Sequence, residues 1–589
     1  MRIAVVIATY NRREALRVLL GSLFRQDLDP KELEIVVVVD GSTDGTVAML
    51  RGLQAPCALR ILEQENAGQA AARNAGWRVA SAPVVLFLDD DLECPAGLLA
   101  EHLAAHAEGV NRVAVGRVVS ESGSTRSLAH DLVERQLREW QRRLAADPRM
   151  RWPEDAYVAT NCSVARTLLE QVDGFDQAFY RALEDHDLGL RLWAQGGRFQ
   201  YVPRAVVTQR YRKSTPEAVR DERWYGRAEV LLVRKHPRCL SRTLAAQTAA
   251  LGGWKRDLLR SFAAVPWAAA VLLGWPVRLI ERFGAPETVL ALGRRMATVW
   301  LHSSRLRASV EAMGGWREFD AVFSRRVPVL MYHHVGPGRP GTYPDLTVSP
   351  EAFERQISTL ARRGYRGITA AEYLRARLGE VRLPERPVIV TFDDGYADIA
   401  EHAFPVLERH GFGSVVFVVT GELAGTNSWD EARGSATHRL LSPEQIREWQ
   451  DRGVEFGGHS RTHASLPSLD AQQLRGEICG CRDDLERLTG RAATAFAYPY
   501  GDFDDRAVAE AREAYSLAFT TVEGVNSLAT DSHLLKRAMV MPGDSGVALL
   551  ARTWLGYSPR DVLLRWRAAV AAPVKSVLRS ILRRGPVAG

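Results

Sequence analysis

Short apolar stretches that end in polar or acidic residues recur along this 589-residue chain. Residues 3–7 form one such stretch, and a helix-spaced apolar segment separates it from a second stretch, 34–39, which ends at Asp40. A third stretch, residues 84–88, is followed by three consecutive aspartates. The order strand, helix, strand predicts an α/β fold with an open parallel sheet. Such sheets bind ligands beyond the carboxyl ends of their strands.

The residues at these strand ends narrow the ligand class. The first strand is followed neither by a Gly-x-Gly-x-x-Gly motif nor by a Walker lysine, which disfavours dinucleotide-binding and P-loop folds. Asp89, Asp90 and Asp91 suit magnesium or manganese on a diphosphate, because these cations take carboxylate and phosphate oxygens together. A solvated acidic turn is the alternative when this segment is considered alone.

The second half of the chain shows a similar alternation. Residues 327–332 form an apolar strand with His333 and His334 at its end, and residues 387–392 form another, followed by Asp393 and Asp394. Further helices are predicted at 353–363, 400–410 and 443–452, and further strands at 414–420 and 455–457. This alternation predicts a (β/α) barrel or a distorted relative of one.

Two adjacent carboxylates repel each other, so Asp393 and Asp394 are best explained if one binds a cation and the other acts as a base. His459 and His463 are four residues apart and could converge on one metal with Asp394 if their segment is helical. An Asp-Gly turn and a pair of surface histidines are the alternatives for each motif alone. A non-haem iron oxygenase would also use two histidines and one carboxylate, but it leaves Asp393 without a role.

Composition and charge exclude other classes of protein. The length predicts two or three domains, and the 46% hydrophobic and 25% charged fractions are typical of globular proteins. Residues 558–589 carry seven Lys/Arg and one Asp, so this segment holds +6 of the formal charge of +7. The concentration of charge indicates a basic tail and argues against nucleic-acid binding by the folded domains. The six scattered cysteines are predicted to be buried thiols.

Two segments point to a membrane surface. Residues 261–277 lack formal charge but contain prolines and are too short for a simple span, so we expect an interfacial or re-entrant segment, with a buried helical linker as the alternative. Residues 562–582 interleave apolar and basic side chains, which suits an anionic membrane or packing on the protein itself. The N-terminus has no secretory pattern, which predicts a cytoplasmic start.

Six motifs occur in order within the first 210 residues: 8–12 (Ala-Thr-Tyr-Asn-Arg), 39–44, 66–76, 89–91, 174–176 and the pair Glu184-Asp185. As a set they resemble the family 2 glycosyltransferases of GT-A fold. The resemblance implies that Thr9, Asn11 and Asp40 line the nucleoside pocket. It also implies that Asp89, Asp90 and Asp91 hold the ribose and the diphosphate metal, with Asp91 a ligand.

The resemblance further implies that Asp185 is the base of an inverting transfer, with Glu184 as the alternative. Asp185 would take the proton from an acceptor hydroxyl, which attacks the anomeric carbon from the face opposite the leaving nucleoside diphosphate. A magnesium or manganese ion would neutralise that leaving group.

Three later motifs, 388–395, 457–463 and 496–501, resemble in order the first three motifs of the polysaccharide deacetylases of carbohydrate esterase family 4, the chitooligosaccharide deacetylase group. The resemblance implies Asp393 as general base. It implies Asp394, His459 and His463 as ligands of zinc or a similar metal, and the backbone around Tyr500 as support for the oxyanion.

The sequence departs from this family at two places. No clear late Leu-x-His motif supplies the acid, but residues 330–334 resemble a subgroup with permuted motifs, which makes His333 the predicted acid and His334 the second choice. The usual arginine of the third motif is Ala497 here, and Arg537 is predicted to replace it through space.

The combined prediction is a bifunctional enzyme with a Rossmann-like GT-A domain at 1–235, a helical linker at 236–325, a distorted (β/α) barrel deacetylase at 326–545 and a basic tail at 546–589. The simplest hypothesis is transfer of N-acetylglucosamine from UDP-N-acetylglucosamine to a glycan, lipid or small-molecule acceptor, followed by deacetylation of the product. Two activities on different envelope glycans, or one domain that only binds, are the alternatives. We expect the enzyme in the cytoplasm at the inner face of the membrane, because nucleotide sugars are made there.

Overall fold

The computed structural model describes residues 1–107, 109–121, 127–150, 160–210, 213–251, 253–337, 346–433 and 437–558. Contacts divide the chain into two compact units. The first contains Met1–Cys239 and Thr243–Glu318, and the second contains Leu240–Arg242 and Phe319–Gly589. The amphipathic stretch predicted at 562–582 lies outside the described residues, and the four domain boundaries given above stay predictions.

The first unit is built on one mixed eight-stranded sheet. Its strands are β1 (Ile3–Thr9), β2 (Leu33–Asp40), β3 (Ala58–Gln64), β4 (Val84–Asp89), β5 (Leu92–Glu93), β6 (Arg112–Ser120), β7 (Asn161–Ala165) and β8 (Arg198–Gln209). Their spatial order is β3-β2-β1-β4-β7-β6-β8-β5. The first four strands run parallel, whereas β7 is antiparallel to both of its neighbours. The sheet therefore places the carboxyl ends of β1, β2 and β4 side by side.

Helices cover both faces of this sheet. They are α1 (Arg13–Leu23), α2 (Thr46–Arg51), α3 (Gln69–Val79), α4 (Leu98–Ala107), α5 (Leu128–Ala146), α6 (Arg166–Val172), α7 (Glu184–Ala194) and α8 (Thr215–Lys235). Alternate residues of a strand face opposite sides. Ile3, Val5 and Ile7 accordingly pack with the leucines of α1, whereas Ala4 and Val6 pack with α3.

A further helical segment follows within the chain. It comprises α9 (Leu244–Ala250), α10 (Gly253–Ala264), α11 (Pro266–Ala269), a π-helix (Ala270–Gly274), α12 (Trp275–Phe283), α13 (Glu287–Met313) and α14 (Trp316–Phe323). In the described part of the chain, no single helix is long and apolar enough to cross a bilayer. The consecutive segments Trp254–Ala264 and Pro266–Phe283 reach that length and hydropathy only together, and they bend by 106° at their junction.

The second unit contains a sheet of parallel strands. The strands of this unit are β9 (Val329–Tyr332), β10 (His334–Val335), β11 (Thr347–Val348), β12 (Arg366–Gly367), β13 (Pro387–Phe392), β14 (Ser414–Val418), β15 (Val454–Gly458), β16 (Ala495–Ala497), β17 (Leu517–Phe519) and β18 (Ala538–Met539). The order is β17-β16-β15-β14-β13-β9-β18, with β12 also on β13, while β10 and β11 form a separate pair. The parallel pairing and curvature confirm the predicted barrel-like α/β fold.

The helices of this unit are α15 (Pro350–Arg362), α16 (Ala370–Arg377), α17 (Asp398–His402), α18 (Phe404–His410), α19 (Pro443–Asp451), α20 (Ala471–Thr489), α21 (Asp505–Ala514) and α22 (Gly546–Leu555). The single helix predicted at 400–410 is wrong, because two helices occupy that segment. Pro405 lies at the start of α18. Proline cannot donate to the helical hydrogen-bond ladder, which explains the break.

Strand β3 and the cysteines complete the comparison with the sequence prediction. Strand β3 was not predicted: it is a half-buried edge strand whose charged residues, Arg60 and Glu63, interrupt its apolar pattern. The six cysteines are free thiols, five of them buried, as predicted.

Candidate active sites

The carboxyl ends of neighbouring strands bring three predicted residues of the first unit together. Thr9 ends β1, Asp40 ends β2 and Asp89 ends β4. The Asp40 carboxylate accepts hydrogen bonds from the Gln64 side chain at 2.7 Å and from the backbone N–H groups of Ala67 and Gly68 at 2.8 and 3.0 Å. These donors fix the carboxylate at the mouth of the sheet.

The acidic cluster after β4 is cross-linked by two neighbours. The Thr9 hydroxyl donates to Asp90 at 2.8 Å, and the Arg12 guanidinium contacts Asp90 at 3.0 Å and Asp91 at 3.1 Å. Burial, and next the charge of Asp89, raise the pKa of Asp91 to about 6 despite Arg12. The cluster therefore holds an excess of negative charge.

A divalent cation fits this cluster through the chemistry of its donors, because magnesium in nucleotide sites takes one or two carboxylates and substrate phosphates. Asn11 follows β1 and adopts a left-handed conformation (φ 52°). Its side-chain oxygen accepts from the Thr43 N–H at 2.7 Å, and its own N–H donates to the Ser42 hydroxyl at 2.9 Å. Asn11 thus anchors the loop after β2.

Asp185 lies in the first turn of α7, and its carboxylate accepts the N–H of His186 at 2.8 Å. Burial, followed by the charge of Glu184, raises the pKa of Asp185 to about 7, although Arg73 opposes this shift. A carboxylate that titrates near neutral pH suits a general base. Glu184 instead pairs with the buried Arg73 at 2.7 Å, which favours Asp185 over Glu184 for proton transfer.

Arg73 connects the predicted base to the strand ends. Its guanidinium also contacts Asp89 at 2.8 Å, and its side chain is only 2% exposed. Arg12 and Thr9 therefore hold Asp90 and Asp91, whereas Arg73 joins Asp89 to Glu184, the neighbour of Asp185 in the chain.

The second site forms at the end of β13, where the backbone turns sharply. The Asp393 N–H donates to the Tyr332 carbonyl at 3.0 Å, while Asp394 is left-handed (φ 70°). An Asp394 carboxylate oxygen lies 3.3 Å from His459 Nε2 and 3.1 Å from His463 Nε2. The ligand atoms of these three buried residues lie within 4.8 Å of one another, so they fit a divalent metal.

His459 and His463 were expected to converge on a metal only if their segment is helical, and this condition is wrong. Residues 459–463 form a loop after β15 and not a helix. Ser460 and His463 both adopt left-handed conformations, and the His463 N–H donates to the Ser460 hydroxyl at 2.9 Å. These two turns bring the rings together. Because His459 Nδ1 contacts the Ala497 carbonyl at 2.8 Å, this nitrogen carries the proton and Nε2 faces Asp394.

Arg537 forms a bidentate pair with Asp393, with nitrogen to oxygen distances of 2.5 and 2.8 Å. Burial opposes ionisation of Asp393, but the charge of Arg537, followed by those of His459 and His333, outweighs it and lowers the pKa of Asp393. Asp393 is therefore ionised beside the ligand group.

The sequence models of two families match separate parts of the chain. The model described as glycosyl transferase family 2 matches residues 4–172, and the model described as polysaccharide deacetylase matches residues 380–516. The chain joins a family 2 glycosyltransferase to a polysaccharide deacetylase. The two family matches indicate transferase activity and hydrolase activity on a carbon–nitrogen bond.

Three curated relatives illustrate both domains. YxkH of Bacillus subtilis (strain 168), described as a polysaccharide deacetylase, is 28% identical over 224 residues, 38% of this chain and 74% of the relative. The poly-beta-1,6-N-acetyl-D-glucosamine N-deacetylase of Staphylococcus epidermidis (strain RP62A) is 25% identical over 221 residues, 36% of this chain and 73% of the relative. The validoxylamine A glucosyltransferase of Streptomyces hygroscopicus subsp. limoneus is 32% identical over 275 residues, 42% of this chain, and the chain spans only 59% of its length.

The deacetylase domain places its two candidate acids differently. Burial outweighs the charges of Asp393 and Asp394 and lowers the pKa of His333, whose imidazole lies within the field of both carboxylates. His334 instead contacts Asp398 at 2.8 Å and stacks on Tyr396 at a ring distance of 3.5 Å. His533, a histidine late in the sequence that lies outside any Leu-x-His motif, contacts the Tyr515 carbonyl at 2.9 Å. This arrangement favours His333 as the acid.

Tyr500 lies at the rim of the same site. It is 36% exposed, adopts a left-handed conformation (φ 58°), and its ring contacts the edge of His463 at 4.4 Å. Left-handed non-glycine residues are strained and cluster at functional sites. The catalytic and binding roles given to these residues from the sequence stay predictions.

Sequence reasoning missed several residues that shape the two sites. In the glycosyltransferase domain they are Arg12 and Arg73, which balance the carboxylates. In the deacetylase domain Trp429 stacks on His463 at 4.7 Å. The position of Arg73 within the motif at 66–76 was the signal that could have indicated its contact with the acidic motifs. No sequence motif pointed to Trp429.

Proposed function

We propose that the glycosyltransferase domain transfers N-acetylglucosamine from UDP-N-acetylglucosamine to a glycan, lipid or small-molecule acceptor, and that the deacetylase domain removes the acetyl group from this product. The observation that carries the proposal is the buried group of Asp394, His459 and His463 beside the ionised Asp393. The likeness to a poly-beta-1,6-N-acetyl-D-glucosamine N-deacetylase supports an N-acetylated sugar as the substrate.

In the transfer step, Asp185 accepts the proton of the acceptor hydroxyl while that oxygen bonds to the anomeric carbon. The bond from this carbon to the nucleoside diphosphate breaks, and the configuration inverts. Magnesium or manganese held by Asp91 would neutralise the leaving diphosphate. Asp40 and Asn11 would position the nucleoside, and Thr9 would hold Asp90 in place.

In the hydrolysis step, a water molecule adds to the acetamide carbonyl and the carbon–nitrogen bond breaks to give acetate and a free amine. Zinc or a similar metal held by Asp394, His459 and His463 would polarise the carbonyl and the water. Asp393 accepts the water proton, since each carboxylate oxygen keeps a second acceptor position beside Arg537. His333 delivers a proton to the leaving amine. The backbone at Tyr500 supports the oxyanion.

The test is mass spectrometry of products from the purified chain with UDP-N-acetylglucosamine, divalent metal and candidate acceptors. We expect addition of one N-acetylhexosamine, followed by loss of one acetyl group. Asp185→Asn should slow the addition strongly and leave deacetylation of a supplied N-acetylglucosamine oligomer intact, whereas Asp394→Ala should let the acetylated product accumulate. A product that never loses its acetyl group in the wild-type chain would contradict the coupled sequence.

The glucosyltransferase relative favours a second candidate, in which the transferred sugar is glucose and the two domains act on different molecules. The same assay separates the two candidates when UDP-glucose replaces UDP-N-acetylglucosamine. Addition of a hexose only, with deacetylation of a separate glycan, would support the second candidate.

We also propose that the enzyme works in the cytoplasm at the inner face of the cell membrane, where nucleotide sugars are available. Activity that depends on added membrane lipid as acceptor or surface would support this location. Equal activity with and without lipid, on a water-soluble acceptor, would count against it.

A further inference from the structure

Helices α10 to α12 of the first unit expose an unusual number of large apolar side chains. We define the apolar face by its six most exposed members: Trp254 (71% exposed), Trp267 (71%), Val271 (57%), Leu272 (58%), Trp275 (64%) and Phe283 (73%). All six lie within 30 consecutive residues. Contiguous apolar patches of this kind mark protein or membrane interaction sites.

The opposite side of the same helices is buried, so the helices themselves are well anchored. Ala269 and Leu273 pack on Trp300 of α13. Gly274 lies so close to this ring that an added Cβ would approach it to 2.6 Å. Val277 is buried with Leu128 and Ala297. Only one side of these helices is covered, which disfavours the predicted alternative of a buried helical linker.

Basic side chains lie beside two members of the apolar face, and the segment as a whole carries a net positive charge. Residues 253–295 contain seven Lys/Arg and three Asp/Glu, a net charge of +4. Lys255 lies over the ring of Trp254, and Arg282 lies over the ring of Phe283. Two of the three acids are paired, Asp257 with Arg256 and Glu287 with Arg294. Glu281 accepts from the Leu128 N–H and the Thr215 hydroxyl.

The geometry fits a surface contact better than a crossing. The segment from Pro266 to Phe283 has 18 residues, about 27 Å at 1.5 Å per helical residue, and it carries Arg278 and Arg282. The bend of 106° prevents the preceding helix from extending it. Tryptophans with flanking cations are typical of segments that lie in the interface plane, with rings at the acyl boundary and cations at the phosphates.

We propose that the apolar face docks the glycosyltransferase unit on a membrane of anionic phospholipid. The proposal rests on the proposed location at the inner membrane face and names the surface that makes the contact. Lipid is favoured over a protein partner because exposed tryptophans and a net positive charge occur in the same segment, which matches an apolar layer beneath a negative one. A second copy of the chain would bring two positive surfaces together.

The test is flotation of the full chain with vesicles of phosphatidylcholine alone or with about one third phosphatidylglycerol, a typical anionic fraction. We expect strong binding to the anionic vesicles that weakens with salt. The double substitution Trp267→Ser with Trp275→Ser should reduce binding by about a hundredfold, about tenfold for each ring. Arg278→Glu with Arg282→Glu should reduce binding to anionic vesicles only.

Trp554→Ser is the matched control, because this tryptophan of the second unit is also 64% exposed and should not affect binding. Thermal melting checks that the variants fold. A chain that lacks residues 559–589 is measured in parallel, and its residual binding should still depend on Trp267 and Trp275. The vesicles contain no nucleotide sugar or acceptor, so a failure of the proposed chemistry leaves this result unaffected.

Three outcomes would overturn the proposal. Unchanged flotation of the double tryptophan variant would remove the apolar face as the anchor. Equal binding to neutral and anionic vesicles would show that the face does not select anionic phospholipid. A concentration-dependent dimer that disappears with Trp267→Ser and Trp275→Ser, without any flotation, would assign the face to a second copy of the chain.

Discussion

Replacement of Arg537 by methionine should remove the positive charge that pairs with Asp393 and leave the metal-ligand group of Asp394, His459 and His463 unchanged. Arg537 is fully buried, the Asp393 side chain is 5% exposed, and the two form two charge-assisted hydrogen bonds at 2.5 and 2.8 Å. Methionine fills part of the same volume but supplies no donor. The substitution therefore leaves a buried carboxylate without its guanidinium.

The magnitude follows from the burial of the pair. Removal of one partner of a buried ion pair costs about 3–5 kcal/mol of unfolding free energy, because the remaining charge stays out of water. Arg537 lowers the pKa of Asp393, so the pair stabilises the fold above the unfolded-state pKa of Asp, about 3.9, and this contribution is lost as pH falls through the folded-state value. The stability difference from wild type should hence be largest near neutral pH and shrink in acid.

The same substitution changes the pH dependence of deacetylation. Asp393 acts as a base only when it is ionised, and loss of Arg537 raises its pKa because burial is then less opposed. The acidic limb of kcat/KM for an N-acetylglucosamine oligomer should therefore move to higher pH in Arg537→Met. Denaturant unfolding at several pH values and pH–rate profiles measure the two effects.

Arg552→Met is the matched control, because Arg552 forms a similarly buried pair with Asp544 at 2.5 Å, with side chains 2% and 3% exposed. It should lose comparable stability but keep the wild-type acidic limb. If Arg537→Met and Arg552→Met shift the limb equally, or if neither does, the Asp393 assignment is refuted.

Three further predictions concern the other groups. Asp185→Asn should slow sugar transfer by about 10²–10⁴-fold, and wild-type transfer should rise with pH to a plateau above about 7, where Asp185 is ionised; a flat profile below pH 7 would contradict this role. Zinc at a hundred times its Kd should stabilise the wild-type chain by about 2.7 kcal/mol in thermal melts, and chelation should reverse the effect. Asp394→Ala should show neither change, and equal stabilisation of both chains would place the metal elsewhere. His333→Ala should reduce deacetylation by about 10²–10⁴-fold while metal content is unchanged, whereas His334→Ala should act mainly on stability through its contact with Asp398; the reverse ranking would make His334 the acid.

Local sequence was sufficient to predict the strand ends and their chemistry. Asp89 and Asp393 follow apolar runs that could only be buried strands, and both lie at the carboxyl edges of their sheets. Parallel pairing between neighbouring strands is a local consequence of the alternation of strands and helices. The likeness of whole motifs to known families then supplied the roles.

Contacts between distant segments needed more than local sequence: the contact of Arg537 was expected only because Ala497 leaves the third motif without its arginine, and the contact of Arg73 was missed. Arg73 pairs with Glu184 across 111 residues, and Arg537 pairs with Asp393 across 144. The local sequence around Arg537 does not distinguish it from the many arginines on the surface, and Arg73 is distinguished only by its place within the motif at 66–76. The spacing of His459 and His463 was informative, but the conformation that it suggested was wrong, since left-handed turns at Ser460 and His463 replaced a helix.

The arginine that pairs with Asp393 comes from a different part of the chain than the third motif of the resembled family. Ala497 leaves the third motif without its arginine, yet the guanidinium arrives from the segment just before β18 and reaches the same carboxylate. In this chain, position 537 therefore supplies the arginine that the family resemblance would place at position 497. A sequence search that requires arginine at the position of Ala497 would therefore miss chains in which an arginine from another segment pairs with the aspartate.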